Sequence, residues 1–309
     1  MLHMSINLTT TLAGLKLSNP TILASGILGV SQASLNKMIE NGAGAVTVKS
    51  ISLEARKGHQ TPIITTYEEG MLNAVGYSNP GAKAAAEEFC QLARLKAPVI
   101  ASIIGQSPDD FKKVWQMLAG SGFAAIEVPL SCPHTPGYGT MAGQHTPAMS
   151  ARITKELKRA SNLPIIIKVS PNHPNMVEVA QAAESAGAAA ICAVNSAGPG
   201  MQIDLETASP VLGFKIGGVT GPAIRPIAVR CVYDLYQAIK IPIIGTGGIT
   251  TGHDAIEMLM AGATALGIGT AVYYHGPTVF KKITDEMSEW LASHGYQSVK
   301  EVIGLVHQN

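Results

Sequence analysis

The sequence predicts an α/β fold, specifically a single (β/α)8 TIM barrel. Eight short apolar runs rich in β-branched residues recur at roughly even spacing, and segments with helical periodicity alternate with them. Each run is almost continuously apolar, as expected of a strand that is buried on both faces of a parallel sheet. Most of the reactive side chains lie at or just after the carboxyl end of a run, which is where such barrels build their active sites.

The predicted strands are residues 20–26, 44–50, 98–104, 125–131, 164–170, 190–196, 242–248 and 265–271. The predicted helices are residues 32–40, 82–95, 108–119, 147–160, 176–186, 222–239, 253–261 and 277–293. Residues 6–18 contain two short alternating pieces around Ala13 and Gly14 and predict an N-terminal β-hairpin that closes the bottom of the barrel. We expect one domain over residues 1–309. Three connections, at 51–81, 132–146 and 197–221, have the length of binding loops over the active site.

The amino-acid composition indicates which kinds of partner the protein is expected to bind. The net charge is +1 and charged residues make up 14 % of the chain, with no basic stripe, so we expect no nucleic acid partner. The four cysteines have no paired spacing, and neither a signal-peptide pattern nor an apolar run of about 18 residues is present, so we expect no membrane attachment and a cytoplasmic location. No cluster has metal-ligand spacing, so we expect no metal.

The last two strands end in glycine-rich turns, Gly245-Thr246-Gly247-Gly248 and Gly267-Ile268-Gly269-Thr270. Barrels commonly bind phosphate between the loops after strands seven and eight. Glycine lets the backbone approach phosphate oxygens closely, and its N–H groups supply hydrogen-bond donors. Either turn alone is equally well explained as a simple change of chain direction, but the pair predicts a phosphate site.

Two lysines, Lys49 and Lys168, lie within or at the end of apolar strands, where an ammonium group is costly to bury. They either extend to solvent at the barrel mouth or neutralise an anionic ligand there, and we favour the second interpretation. Asn73, Asn195 and Ser196 add neutral hydrogen-bonding groups around the same mouth, which suits a flat ligand with amide groups.

Cys132 follows the fourth strand in the run Ser131-Cys132-Pro133-His134 and is the candidate base or nucleophile. Cys90, Cys192 and Cys231 fall within helix or strand patterns and are predicted to be core residues. A lone cysteine is more often inert packing, so its position alone leaves its role open.

Several blocks in order resemble the FMN-dependent class-1 dihydroorotate dehydrogenases, in particular their archaeal and NAD-linked forms. These blocks are ASG at 24–26, VKS at 48–50, GMLNAVGYSNPG at 70–81, SCPH at 131–134, IKVSPN at 167–172, VNS at 194–196, GGVTGPAIRPIAVRCVY at 217–233, GTGGI at 245–249 and AGATALGIGTA at 261–271. The resemblance covers essentially the whole chain.

The resemblance implies an FMN cofactor and a set of residues around it. It implies cofactor contacts from Ala24, Ser25, Gly26, Lys49, Ser50, Lys168, Asn195, Gly221, Gly247, Gly248, Gly269 and Thr270. Lys168 would lie near the pyrimidine edge of the flavin, where a positive charge stabilises the anionic reduced form. Substrate contacts would come from Lys49, Asn73, His134, Asn195 and Ser196.

The implied reaction is the oxidation of (S)-dihydroorotate to orotate in pyrimidine (UMP) biosynthesis. Cys132 would remove the proton from C5 while C6 delivers hydride to N5 of FMN; the membrane-attached class-2 members carry serine in place of this cysteine. The resemblance also implies a homodimer. It implies a heterotetramer with a subunit carrying FAD and an iron–sulfur cluster if NAD is the electron acceptor, whereas fumarate or a quinone would need only the barrel.

Two positions depart from the family pattern, because Pro129 and His134 stand where asparagines that contact substrate are usual. Pro129 lacks an N–H group, so we expect a bulge or strand end there. The same SCPH run also resembles the FMN barrel of dihydropyrimidine dehydrogenases, which leaves uracil or thymine as an alternative substrate. Two further alternatives are a Schiff-base aldolase that uses Lys168 on a phosphorylated sugar, and a flavin-binding barrel that has lost turnover.

Overall fold

A computed structural model describes residues 6–130 and 146–308. Its strands, in chain order, are β1 (Thr10–Leu12), β2 (Leu15–Leu17), β3 (Thr21–Leu23), β4 (Ala45–Thr47), β5 (Ile64–Tyr67), β6 (Gly70–Asn73), β7 (Val99–Ser102), β8 (Ala125–Pro129), β9 (Ile165–Val169), β10 (Ala190–Ala193), β11 (Ala197–Gly200), β12 (Ile203–Asp204), β13 (Ser209–Pro210), β14 (Gly217–Thr220), β15 (Ile243–Thr246) and β16 (Ala265–Ile268). The helices are α1 (Gln32–Glu40), α2 (Ala82–Glu88), α3 (Pro108–Leu118), α4 (Pro147–Ala160), α5 (Met176–Ser185), α6 (Arg225–Ala238), α7 (Gly252–Met260), α8 (Thr270–His275) and α9 (Val279–Ser293).

Eight of these strands close into a parallel barrel and confirm the predicted fold. The order around the barrel is β3, β4, β7, β8, β9, β10, β15 and β16, and β16 then pairs with β3. Each barrel strand lies within one of the eight apolar runs, although the strands are shorter than the runs. The ends of the runs instead become the loops at the barrel mouth.

Most predicted helices form, and local capping explains where several begin. Ser31, Ser107 and Thr251 cap the starts of α1, α3 and α7, and in each case the side chain three residues later bonds back to the cap, forming a capping box. The helix predicted over residues 82–95 was too long, because α2 ends at Glu88 and only a short 3-10 turn follows at Leu92–Arg94.

The barrel interior is apolar at its lower end. Side chains from the barrel strands, such as Ile100 and Ile166, pack against Leu12 and Leu17 of the β1–β2 hairpin. The hairpin pairs in antiparallel register around Ala13 and Gly14, as predicted. It therefore closes the bottom of the barrel and leaves the carboxyl ends of the strands as the accessible mouth.

A four-stranded sheet in the order β11, β14, β6 and β5 stands over one side of that mouth. The predicted loops 51–81 and 197–221 supply its strands, and they join where Gly218 pairs with Asn73. These connections were expected to be binding loops, but their mutual pairing was not predicted.

The fourth barrel strand ends at Pro129, as expected for a residue without an N–H group. Its last register pair is with Lys168, and the next residue, Leu130, still donates its N–H to the Lys168 carbonyl. In the part of the chain that is described, no helix combines the length and apolar character needed to cross a bilayer.

Candidate active site

A cavity of about 480 Å3 opens at the carboxyl ends of the barrel strands. Its volume lies within the range of about 300–1,000 Å3 that is usual for small-molecule sites. The cavity brings together thirteen of the residues that the sequence singled out. They are Ala24, Ser25, Gly26, Lys49, Asn73, Lys168, Asn195, Ser196, Gly221, Gly247, Gly248, Gly269 and Thr270.

Three predicted site residues are not among the lining residues. Ser50 is buried beside the cavity, and its hydroxyl forms a 2.9 Å hydrogen bond with that of Ser102. Cys132 and His134, the candidate base and a candidate substrate contact, lie outside the described residues.

Turns from three loops meet at one end of the cavity, and we call Gly221, Gly247, Gly248, Gly269 and Thr270 the glycine cluster. A methyl group on Gly248 would lie 2.9 Å from the Gly221 carbonyl oxygen, and one on Gly221 would lie 3.4 Å from the Thr270 methyl carbon. Positive φ angles at Gly221, Gly247 and Gly248 add a second reason for glycine there. The cluster presents backbone to the cavity at the position where barrels bind phosphate.

An ion pair behind the glycine cluster fixes the loop between β15 and α7. The carboxylate of Asp254 accepts hydrogen bonds from the Thr250 N–H at 2.9 Å, the Thr250 hydroxyl at 2.8 Å and the Thr251 N–H at 2.9 Å. It also pairs with the Arg225 guanidinium, and Arg225 packs against Gly248. Asp254, in the first turn of α7, thus ties the two residues before the helix to it.

Lys168 lies at the bottom of the cavity and is almost completely buried, at 4 % exposure. Its ammonium donates a 3.2 Å hydrogen bond to the Ser25 hydroxyl. Burial by itself lowers the pKa of Lys168, but the negative charge of Glu127 on β8 opposes burial, and the net result is a raised pKa. Lys168 is therefore a stable cation.

The cavity is electropositive and otherwise apolar or neutral. Among its described lining residues, Lys49 and Lys168 are the only charged ones, and no carboxylate is among them. A cavity of this kind binds an anionic ligand better than a neutral one of the same shape.

Asparagine side chains line the cavity from two directions. Asn73, on β6, donates a 3.2 Å hydrogen bond to the Gly218 carbonyl, which holds it in the sheet above the mouth. Asn195 follows β10, and its side-chain oxygen accepts the N–H of Ser196 at 2.9 Å. Both amides are therefore held in place by the chain.

Sequence reasoning missed three polar residues around the site. Glu127, on β8, and Asp254 are buried carboxylates, and the Thr246 hydroxyl lies 3.4 Å from the Cys192 sulfur. The available signal for Glu127 was a charged residue inside an apolar strand, the same signal that identified Lys168.

Comparison with known proteins identifies the family. The family model described as "Dihydroorotate dehydrogenase" matches residues 7–291. Relatives named "Dihydroorotate dehydrogenase B (NAD(+)), catalytic subunit" include one from Methanothermobacter thermautotrophicus, 43 % identical over 97 % of this chain and 98 % of the relative. Another from Pyrococcus abyssi is 44 % identical over 96 % of this chain and 98 % of the relative. A third from Methanocaldococcus jannaschii is 40 % identical over 97 % of this chain and 98 % of the relative. The family model and these relatives match nearly the whole length of the chain, and the parallel barrel with an electropositive cavity at its mouth agrees with them. The chain therefore belongs to the dihydroorotate dehydrogenase family.

Proposed function

We propose that the chain oxidises dihydroorotate to orotate in pyrimidine biosynthesis, with FMN bound in the cavity. The proposal depends mainly on the lining of that cavity. The glycine cluster, two lysines and two asparagine side chains that the protein holds in place all line it. The name of the relatives supports the same activity.

The residues present fit FMN. The glycine cluster offers backbone to a phosphate, and a methyl group on Gly247 would lie only 2.7 Å from the Ala228 side chain, so this close approach needs glycine. Gly26 has open space where a side chain would be, on the cavity side of the barrel, and leaves room for a flat ring. Ala24, Ser25, Lys168 and Asn195 would hold that ring.

When bound, FMN supplies an acceptor for the hydride that leaves C6 of dihydroorotate. The chain's own residues do the rest. Lys168 would stabilise negative charge on the reduced ring, and Lys49 would pair with the substrate carboxylate. Asn73, Asn195 and Ser196 would orient the substrate's amide groups, and Cys132 would take the proton from C5 as general base.

The relatives' name points to a separate electron-transfer partner, because it describes a catalytic subunit that works with NAD(+). We infer that this chain forms a homodimer that joins a second subunit carrying FAD and an iron–sulfur cluster. The cytoplasmic location expected from the sequence fits an NAD-linked reaction and stays a prediction.

Two alternatives lose support. A Schiff-base lysine must be neutral to attack a carbonyl, whereas the raised pKa of Lys168 keeps it protonated. A dihydropyrimidine substrate lacks the carboxylate with which Lys49 would pair, and the family model and relatives carry the dihydroorotate name.

The test is an absorbance spectrum of the purified protein, reconstituted with FMN if needed, followed by anaerobic addition of dihydroorotate. We expect a flavin band that bleaches with dihydroorotate and persists with dihydrouracil. Bleaching by dihydrouracil alone would favour the dihydropyrimidine alternative, and a protein that never binds FMN would overturn the proposal.

A further inference from the structure

A cluster of three buried titratable side chains lies in the barrel directly around Lys168. Glu127, Lys168 and Cys192 come from the neighbouring strands β8, β9 and β10, and their exposures are 3 %, 4 % and 2 %. Cys192 is the direct register partner of Lys168. Only Lys168 of the three lines the cavity.

Glu127 has no access to a ligand in that cavity. Its partners lie within the barrel, and one of its carboxylate oxygens, Oε1, is buried without a hydrogen-bond partner among the described residues. A buried carboxylate is costly unless a positive charge compensates it. Glu127 is the anion that opposes the effect of burial on Lys168.

Cys192 contributes no charge at neutral pH. Burial, ahead of the other causes, raises the pKa of its thiol from 9.0 to about 12. The groups that face Lys168 are thus one carboxylate from β8, one neutral thiol from β10 and the Ser25 hydroxyl. Of the two charge effects that raise the pKa of Lys168, that of Glu127 is the larger and that of Cys192 the smaller.

We propose that Glu127 is a positioning residue that keeps Lys168 charged beneath the bound cofactor and moderates the effect of that charge on the flavin. The inference rests on the proposed FMN binding. With Glu127 present, the cluster is neutral overall, so the lysine donates a hydrogen bond without imposing a full uncompensated charge. Without it, the lysine charge depends on pH.

Glu127→Gln keeps the shape of the side chain and removes its charge, and it has opposite effects at low and high pH. At low pH Lys168 stays protonated and uncompensated, which stabilises the anionic reduced flavin and raises the midpoint potential above that of the wild type. At high pH burial deprotonates the lysine, so the potential falls below that of the wild type. The difference in potential between variant and wild type therefore changes sign with pH.

The experiment measures the FMN midpoint potential across the pH range of stability, and FMN binding by the apoprotein through flavin fluorescence at each pH. We expect FMN affinity of Glu127→Gln to fall about tenfold or more from acid to alkaline pH relative to the wild type, because a hydrogen bond from a charged donor is lost. Cys192→Ala removes the smaller of the two charge effects on Lys168, so both of its effects should be smaller than those of Glu127→Gln.

The outcomes separate the two proposals. A wild-type protein that binds no FMN overturns the proposed function. FMN binding in which Glu127→Gln follows the wild type at every pH overturns the role of Glu127 alone. If Glu127→Gln does not fold, the double variant Glu127→Gln/Lys168→Met, which removes both charges, should restore folding, and its failure to do so would also overturn the role of Glu127.

Discussion

Lys168 and Ser25, which are 143 residues apart in the sequence, are joined by a 3.2 Å hydrogen bond across the barrel. Lys168 is on β9 and Ser25 follows β3, and these strands lie four positions apart in the closed order of eight, on opposite sides. The bond thus connects opposite walls at the level of the cavity.

Replacing Ser25 tests how much this hydrogen bond contributes to the free energy of unfolding. We expect Ser25→Ala to lower the free energy of unfolding of the apoprotein by about 1.5–3 kcal/mol, because the buried ammonium loses its acceptor. Ser293→Ala removes an exposed serine hydroxyl that bonds the Trp290 carbonyl, and it should cost less than about 0.5 kcal/mol. Urea unfolding measures both variants, and equal losses would contradict the importance of the bond.

Gly26 offers a test that separates backbone strain from ligand binding. Gly26 and Gly14 have φ angles of 103° and 86°, and an added Cβ would contact nothing within 4 Å at either site. Gly26→Ala and Gly14→Ala should therefore lose similar stability, about 1 kcal/mol or more.

Only Gly26 lines the cavity, so we expect Gly26→Ala alone to weaken FMN binding, measured by fluorescence titration. If both variants bound FMN as the wild type does, the flavin ring would not lie against Gly26.

Asp254 should matter to stability far more than an acidic residue in a surface pair. Asp254→Ala removes the back-bonding half of the α7 capping box and leaves Arg225 paired with the exposed Glu257, so we expect a loss of about 2–3 kcal/mol. Asp285→Ala breaks the exposed pair with Lys281 and should cost about 0.5 kcal/mol or less. Thermal and chemical denaturation compare the two, and similar losses would mean that the pair behind the glycine cluster is not structural.

The buried Cys192 thiol should make stability depend on alkaline pH. Its pKa is about 12 in the folded protein, against an ordinary value of 9.0, so the unfolded chain releases this proton first. Above about pH 9 the unfolded state therefore binds fewer protons, and the free energy of unfolding falls by about 1.4 kcal/mol per pH unit from this group. Cys192→Ala should remove that slope, whereas Cys90→Ala, at an exposed position, should keep it.

Cys132 remains the predicted base, and its replacement tests the mechanism directly. We expect Cys132→Ala to reduce the rate of flavin reduction by dihydroorotate by about 100-fold or more, as for loss of a general base. In the wild type the rate should rise with pH as the thiolate forms. Cys90→Ala serves as the matched control, and an unchanged rate in Cys132→Ala would exclude the assignment.

The barrel was predictable because apolarity on both faces marks a parallel strand, and Ile165–Val169 shows this signal even with Lys168 inside it. The short helix α8 was not predicted, because Thr270–His275 continues the apolar run of β16 without a polar break. Cys90 was wrongly assigned to the core, since α2 ends before it and leaves it exposed.

The candidate site was predictable where one residue type has a special backbone or charge role, as at Gly248 or Lys168. The proximity of Glu127 to Lys168 was not predictable, because it depends on which strands become neighbours and which side chains point inward. The same limit applies to Ser50, whose hydroxyl forms a hydrogen bond with that of Ser102 on a different strand.

The sheet over the mouth affects the order in which parts of the fold can form while the chain is being synthesised. Asn73 is held by the Gly218 carbonyl across 145 residues of chain. A nascent chain cannot form this wall until β14 has left the ribosome, by which time the first six barrel strands have already emerged. Contacts of such long sequence separation form late in folding. The growing chain therefore acquires much of its scaffold before it can enclose a substrate.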